Sequence, residues 1–132
     1  MIGNQLEKEL RGIVGDENYL HSPEHLINYW YDGFVTEAKP DAVLLPVNTE
    51  QVSSIMKIAC REGIAMTPRG AGTNLSGGSI PLRGGIVLSF TRMNLILELN
   101  EEDRSAVVCP ESFGTEWKFR LQIVPVTPNP FQ

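Results

Sequence analysis

Cysteine is nearly absent from this 132-residue chain. Only Cys60 and Cys109 occur, far apart and among apolar neighbours, so small buried hydrophobes are expected in place of a disulfide or a metal site. That usage fits a reducing cytoplasm, the expected compartment. No apolar run approaches the roughly 20 residues that span a bilayer, and Met1 to Gly15 has no apolar centre like that of a secretion signal. Basic clusters are missing too. Eleven Lys and Arg stand against 16 Asp and Glu, a net charge of -5, which argues against a nucleic-acid partner. Repeats and low-complexity linkers are also lacking. What is present, 42% hydrophobic and 20% charged residues, is the composition of about one ordinary globular domain and not of a disordered chain.

Leu6, Leu10, Ile13 and Val14 recur at three- and four-residue intervals and predict an amphipathic helix from Gly3 to Val14, stopped by Gly15. Ser22-Pro23 predicts the capped start of a shorter helix carrying Leu26, Ile27, Tyr29 and Trp30. The apolar run from Ala42 to Val47 lacks helical period and reads as a buried strand. Asn48 followed by Gln51 resembles a capping box, and Val52, Ile55, Met56 and Ala59 form the expected apolar stripe of a helix ending at Gly63. With a strand from Ile64 to Thr67 this makes a βαβ unit, expected to be parallel with a right-handed crossover. Further strands are expected at Ile86–Phe90, Leu95–Leu99 and Ser105–Cys109. A short helix over Thr115–Gln122 and an extended proline-rich tail over Val124–Pro130 follow. The fold class is α/β.

Between Arg69 and Gly85 the composition changes. Arg69-Gly70-Ala71-Gly72-Thr73-Asn74-Leu75-Ser76-Gly77-Gly78-Ser79 is too rich in glycine for a regular element. Backbone N–H groups in such a loop can approach a ligand closely and form a nest for an anion. Two phosphate motifs are tested by spacing alone. Gly72 and Gly77 are separated as in a nucleoside triphosphate loop, but Gly78 stands where its lysine belongs. Gly70 and Gly72 supply two glycines of the dinucleotide fingerprint, but Leu75 occupies the third position and no helix start follows. There remains a loop with the charge of Arg69, the polar side chains of Thr73, Asn74 and Ser76, and close backbone access, which are the groups a pyrophosphate requires. The plain alternative is a surface turn, for which two glycines suffice.

The run Thr67-Pro68-Arg69-Gly70-Ala71-Gly72-Thr73-Asn74-Leu75-Ser76-Gly77-Gly78 resembles the pyrophosphate loop in the FAD-binding domain of the vanillyl-alcohol oxidase / p-cresol methylhydroxylase superfamily. Within it, the likeness points to the FAD subunit of glycolate oxidase and to D-lactate and other 2-hydroxyacid dehydrogenases. Tyr31-Asp32-Gly33 and Arg92 to Leu99 look like that group as well. The resemblance implies the N-terminal α+β part of a PCMH-type FAD-binding domain: a helical lead over 1–40, the βαβ unit and loop over 41–85, and strands with an irregular tail over 86–132. It implies that Arg69, Gly70, Ala71, Gly72, Thr73 and Asn74, with Gly77 and Gly78 beside them, hold the FAD pyrophosphate, while Pro68 fixes the exit from its strand. Relatives that tether the flavin through a histidine place it where Thr73 stands, so FAD is expected to be non-covalent.

The family oxidises 2-hydroxy acids, and its catalytic residues lie in a later substrate domain that nothing here matches. The chain is therefore expected to be truncated and inactive alone, with no catalytic residue of its own. Glu111 replaces the glycine the family pattern expects after Pro110, and Pro128-Asn129-Pro130 resembles the proline-rich segment of relatives. The alternative is a non-catalytic interaction module completed by a second polypeptide or by self-association, because an incomplete sheet leaves open edges and apolar surface.

Three other groupings are weighed. His21-Ser22-Pro23-Glu24-His25 has the spacing of an inverted zinc-protease pattern, but Pro23 as the first helical residue leaves His21 outside the helix, so no metal is expected. Tyr29, Trp30, Tyr31 and Phe34 are expected to pack under a short helix. Glu98, Glu101, Glu102 and Asp103 read as a solvated acidic corner between strands.

Overall fold

The computed structural model describes residues 2–33, 36–100 and 102–111. Phe34, Glu101, the helix expected over 115–122 and the proline-rich tail lie outside the described residues. Two compact units are present, Met1–Met93 and Asn94–Gln132.

In the first unit, α1 (Asn4–Val14) leads through a single turn at Asp16–Asn18 to a two-residue strand β1 (Tyr19–Leu20). Then come α2 (Pro23–Leu26), a turn of tighter helix (Ile27–Tyr29), β2 (Ala42–Leu44), α3 (Thr49–Glu62), β3 (Met66–Arg69) and β4 (Ile86–Ser89). The four strands make one sheet in the order β1-β2-β4-β3. β4 is parallel to both neighbours, with Val43 and Thr67 flanking Val87, while β1 runs antiparallel to β2. The βαβ unit is thus parallel as expected, but β4 is inserted between its two strands.

Apolar runs without alternation are explained by burial on both faces. Ala42, Leu44, Ile86 and Leu88 pack with Leu10, Val14, Ile55 and Ile58 from the helices and with Tyr19 of β1. Val43, Leu45 and Val87 point the other way and pack with Leu26, with Tyr29 and Trp30 at the margin. β1 has only two residues, too few to show a pattern. It is fixed by Asn18, whose side chain donates to the Val14 carbonyl (2.8 Å) and whose own carbonyl accepts from Leu45 N–H (3.0 Å).

α3 begins where the capping residue predicts. Asn48 Oδ1 accepts from Gln51 N–H at 2.9 Å, but Gln51 Oε1 accepts from Val47 N–H (2.8 Å) and its Nε2 donates to the Ile13 carbonyl (2.8 Å). The box is therefore opened by one residue and also ties α3 to α1. Asn48→Ala is expected to cost about 1 kcal/mol, read as a lowered urea midpoint at unchanged slope. The helix stops at Gly63, which takes the left-handed conformation.

Several expectations are corrected. The buried stripe of α3 is Ile55, Ile58 and Ala59, and Met56, one position past Ile55 around the helix, is 44% exposed. Cys60 is exposed on that same outer side and Cys109 is half-buried; neither forms a disulfide. Ser22 precedes α2 without its side chain capping it; its main-chain carbonyl accepts from His25 and Leu26 N–H instead, at 3.0 Å each. Pro68 lies inside β3, not at its exit, which an edge strand tolerates. Tyr31 is exposed and does not share the packing of Tyr29 and Trp30.

The second unit contains an antiparallel pair, β5 (Ile96–Asn100) and β6 (Ser105–Val108), with an irregularity between Ile96 and Glu98. Asn100 closes the turn by accepting from Asp103 N–H (3.0 Å) and donating to the Asp103 carboxylate (2.9 Å), in the expected acidic corner.

Candidate functional site

The glycine-rich loop leaves the carboxyl end of β3 and returns through Ser79 and Ile80 to β4. Carboxyl ends of parallel strands are where α/β sheets place their ligands. Arg69 is the last residue of β3, and Phe90 N–H donates to its carbonyl (2.9 Å). Its side chain is only 6% exposed: Nη1 donates to Ser79 Oγ (3.3 Å), Nη2 donates to the Asn28 carbonyl (3.2 Å), and the guanidinium lies 5.6 Å from the Tyr29 ring centre. The cation is thus set into the base of the loop and held on both sides.

Gly72 sits directly against it. A Cβ at this position would collide with the Arg69 guanidinium, and its φ of +73° is one that only glycine adopts freely. Gly77 also has positive φ. Thr73, Ser76 and Gly78 are exposed, as is Leu75, while Gly70, Asn74 and Gly77 are half-buried.

The decisive feature is where the backbone donors go. Among the described residues, no N–H from Gly70 to Ser79 donates to a main-chain oxygen. The two main-chain bonds that shape the loop instead use its carbonyls: Gly33 N–H donates to Asn74 O (3.0 Å) and Ile80 N–H donates to Gly77 O (3.1 Å). Such a segment leaves its donors to solvent or an anion. The neighbouring sequence is cationic, although the Asp32 carboxylate reaches the loop through Asn74. Residues 63–97 include Arg69, Arg83 and Arg92 and no carboxylate, within a chain of net charge -5. That acid-free stretch was readable in the sequence. Four participants were not picked out as site residues: Asp32, which accepts from Asn74 Nδ2 at 2.6 Å, Ser79, and Asn28 and Tyr29, which hold the Arg69 guanidinium. The Tyr31-Asp32-Gly33 likeness was the signal for the first.

The other candidates behave differently. His21 Nδ1 lies 3.2 Å from Arg11 Nη2 and its ring stands 5.9 Å from that of Tyr19, which makes it part of the packing at the end of α1. Among the described residues no group of three His, Cys, Asp or Glu is placed to hold a metal ion, and no helix is long and apolar enough to cross a membrane. Remote from the loop, Arg61 bonds Glu9 at 2.7 Å between α3 and α1 and holds that carboxyl below its ordinary range.

The sheet, parallel except for β1, thus carries a glycine-rich loop with a buried cation at the carboxyl end of β3. The chain belongs to the FAD binding domain family, whose pattern matches residues 40–117. It is 40% identical over 111 residues to glycolate oxidase subunit GlcD of Bacillus subtilis (strain 168), covering 83% of this chain and 24% of that protein. It is 42% identical over 105 residues to D-2-hydroxyglutarate dehydrogenase of Stutzerimonas stutzeri (strain A1501), covering 77% and 22%. Among solved structures, p-cresol methylhydroxylase with substrate bound superposes with a TM-score of 0.80 at 25% identity, over 92% of this chain and 25% of that one. The chain therefore spans about a quarter of the length of the relatives it matches. The α/β class and the PCMH-type architecture expected above are those of the family, and FAD is the family's cofactor.

Proposed function

We propose that this chain binds FAD by its pyrophosphate, using the main-chain N–H groups of Gly70, Ala71, Gly72, Thr73, Asn74, Gly77 and Gly78 with the Arg69 charge behind them. The observation that carries this reading is the run of loop amides with no main-chain acceptor. The fit is chemical as well as spatial. A pyrophosphate spreads its charge over several oxygens, each an acceptor, and a succession of N–H groups near one fixed cation satisfies them without bulky side chains.

In this reading the chain serves a flavin-dependent oxidoreductase acting on 2-hydroxy acids of the glycolate or D-lactate type, as the names of its relatives suggest. When bound, the isoalloxazine supplies the electron sink, while the protein supplies binding and orientation. The catalytic groups toward the hydroxy acid are not assigned to any residue of this chain. Attachment is non-covalent: residues 69–79 contain no His, Cys or Tyr that could form a bond to the flavin.

The test is a titration of the full chain with FAD, followed by quenching of flavin fluorescence and by calorimetry. Saturable binding near one equivalent is expected, with all flavin released into the supernatant on acid precipitation. A folded chain that shows no saturation would overturn the reading.

A further inference from the structure

Asp32 stands 42 positions from Asn74 in sequence yet is joined to the loop through it. Its Oδ2 accepts from Asn74 Nδ2 at 2.6 Å, and the next residue, Gly33, donates its N–H to the Asn74 carbonyl at 3.0 Å. Asn74 is thus gripped by side chain and main chain together. Its Oδ1 lies 2.8 Å from Ser79 Oγ, which is also 3.2 Å from Asp32 Oδ2 and gives its single proton to one of them. The same hydroxyl accepts from Arg69 Nη1.

These contacts form one chain, from the carboxylate of Asp32 through Asn74 and Ser79 to the guanidinium of Arg69. A carboxylate can only accept, so it fixes the Asn74 amide with its NH2 toward Asp32 and its oxygen toward Ser79. The negative charge so close to an anion site has a reason in this arrangement. It holds donors belonging to the loop, and it is linked through one hydroxyl to the buried cation.

We propose that Asp32 is a positioning residue for the flavin site. By clasping Asn74 it keeps the first half of the loop in the conformation that leaves the amides of Gly70 to Asn74 turned from the main chain and available to a pyrophosphate. This rests on the function proposed above, and two variants with two readouts separate them. Asp32→Ala removes the acceptor, whereas Asp32→Asn keeps an oxygen that can still accept from Asn74.

Asp32→Ala is expected to weaken both FAD and ADP, which share the pyrophosphate, by about tenfold, the scale of one charge-assisted hydrogen bond. Asp32→Asn is expected to retain affinity within about threefold, since a neutral acceptor gives up roughly half of such a bond. In the unliganded chain, amide hydrogen exchange at Gly33 is expected to rise in Asp32→Ala and to stay near the parent rate in Asp32→Asn, at unchanged far-UV circular dichroism. Parent-like FAD affinity in Asp32→Ala, or unchanged Gly33 exchange, would overturn the proposal. A parent chain that takes up no FAD overturns the flavin reading, while the exchange comparison still decides whether Asp32 holds the loop.

Discussion

Gly72→Ala is expected to weaken FAD binding by about a hundredfold, from about 3 kcal/mol of combined left-handed strain and overpacking. Two costs fall on the one residue. Its φ of +73° is disfavoured once a Cβ is present, and that Cβ would occupy the space of the Arg69 guanidinium. Arg69 cannot withdraw freely, because Ser79, the Asn28 carbonyl and the Tyr29 ring hold it. The loop must therefore give way. Only two main-chain hydrogen bonds shape it, so the change stays local and the cooperative melt is expected to move by no more than a few degrees. Flavin fluorescence titration beside a thermal melt checks both halves of this. Retained affinity would mean that the loop's shape is irrelevant to binding.

The second large effect concerns the sheet. Gly85 precedes β4 with φ +76°, and a Cβ there would strike the Ala65 carbonyl oxygen, a backbone atom that cannot swing aside. That carbonyl accepts from Ile86 N–H (2.9 Å), while Gly85 and Asp41 exchange bonds through Asp41 N–H to Gly85 O (2.7 Å) and Gly85 N–H to Asp41 Oδ2 (3.0 Å). Gly85 thus stands where the central strand enters between its two parallel neighbours. Gly85→Ala is expected to destabilise by about 3–4 kcal/mol, from about 1–2 of left-handed strain and about 1–3 of overpacking. In urea this lowers the midpoint by roughly 2 M. Gly63→Ala is the comparison: φ is +64° but nothing lies within 4 Å, so only the conformational cost of about 1 kcal/mol is expected. Equal losses in the two variants would contradict the steric account.

Local signals in the sequence were accurate where local chemistry decides structure. Asn48 caps α3 and Gly63 ends it because a free N–H and a left-handed turn are satisfied within a few residues. The strands over Ala42–Leu44 and Ile86–Ser89 are legible because burial on both faces demands unbroken apolar runs. What depends on distant partners was hidden. The placement of β4 between β2 and β3 follows from pairing across the whole unit, and nothing in residues 42–67 specifies it. The α3 stripe was misread at Met56 because it stands four residues after Val52, within the helical period, and only the sheet beneath selects Ile58 instead. At the site, glycine content marked the loop, yet the setting of Arg69 within it depends on Asn28, Tyr29 and Ser79, which are not adjacent to it in sequence. Asp32 was visible only as part of a resemblance, since a lone carboxylate before glycine has no signature of its own.

The central claim is that the loop's own amides take the pyrophosphate. The most direct measurement is an amide-resolved NMR titration of the 15N-labelled full chain with FAD, and with ADP to isolate the diphosphate. The account predicts that with both ligands the largest shifts fall on the N–H groups of Gly70 to Asn74, Gly77 and Gly78. Saturable binding that leaves those resonances in place and moves others would contradict it.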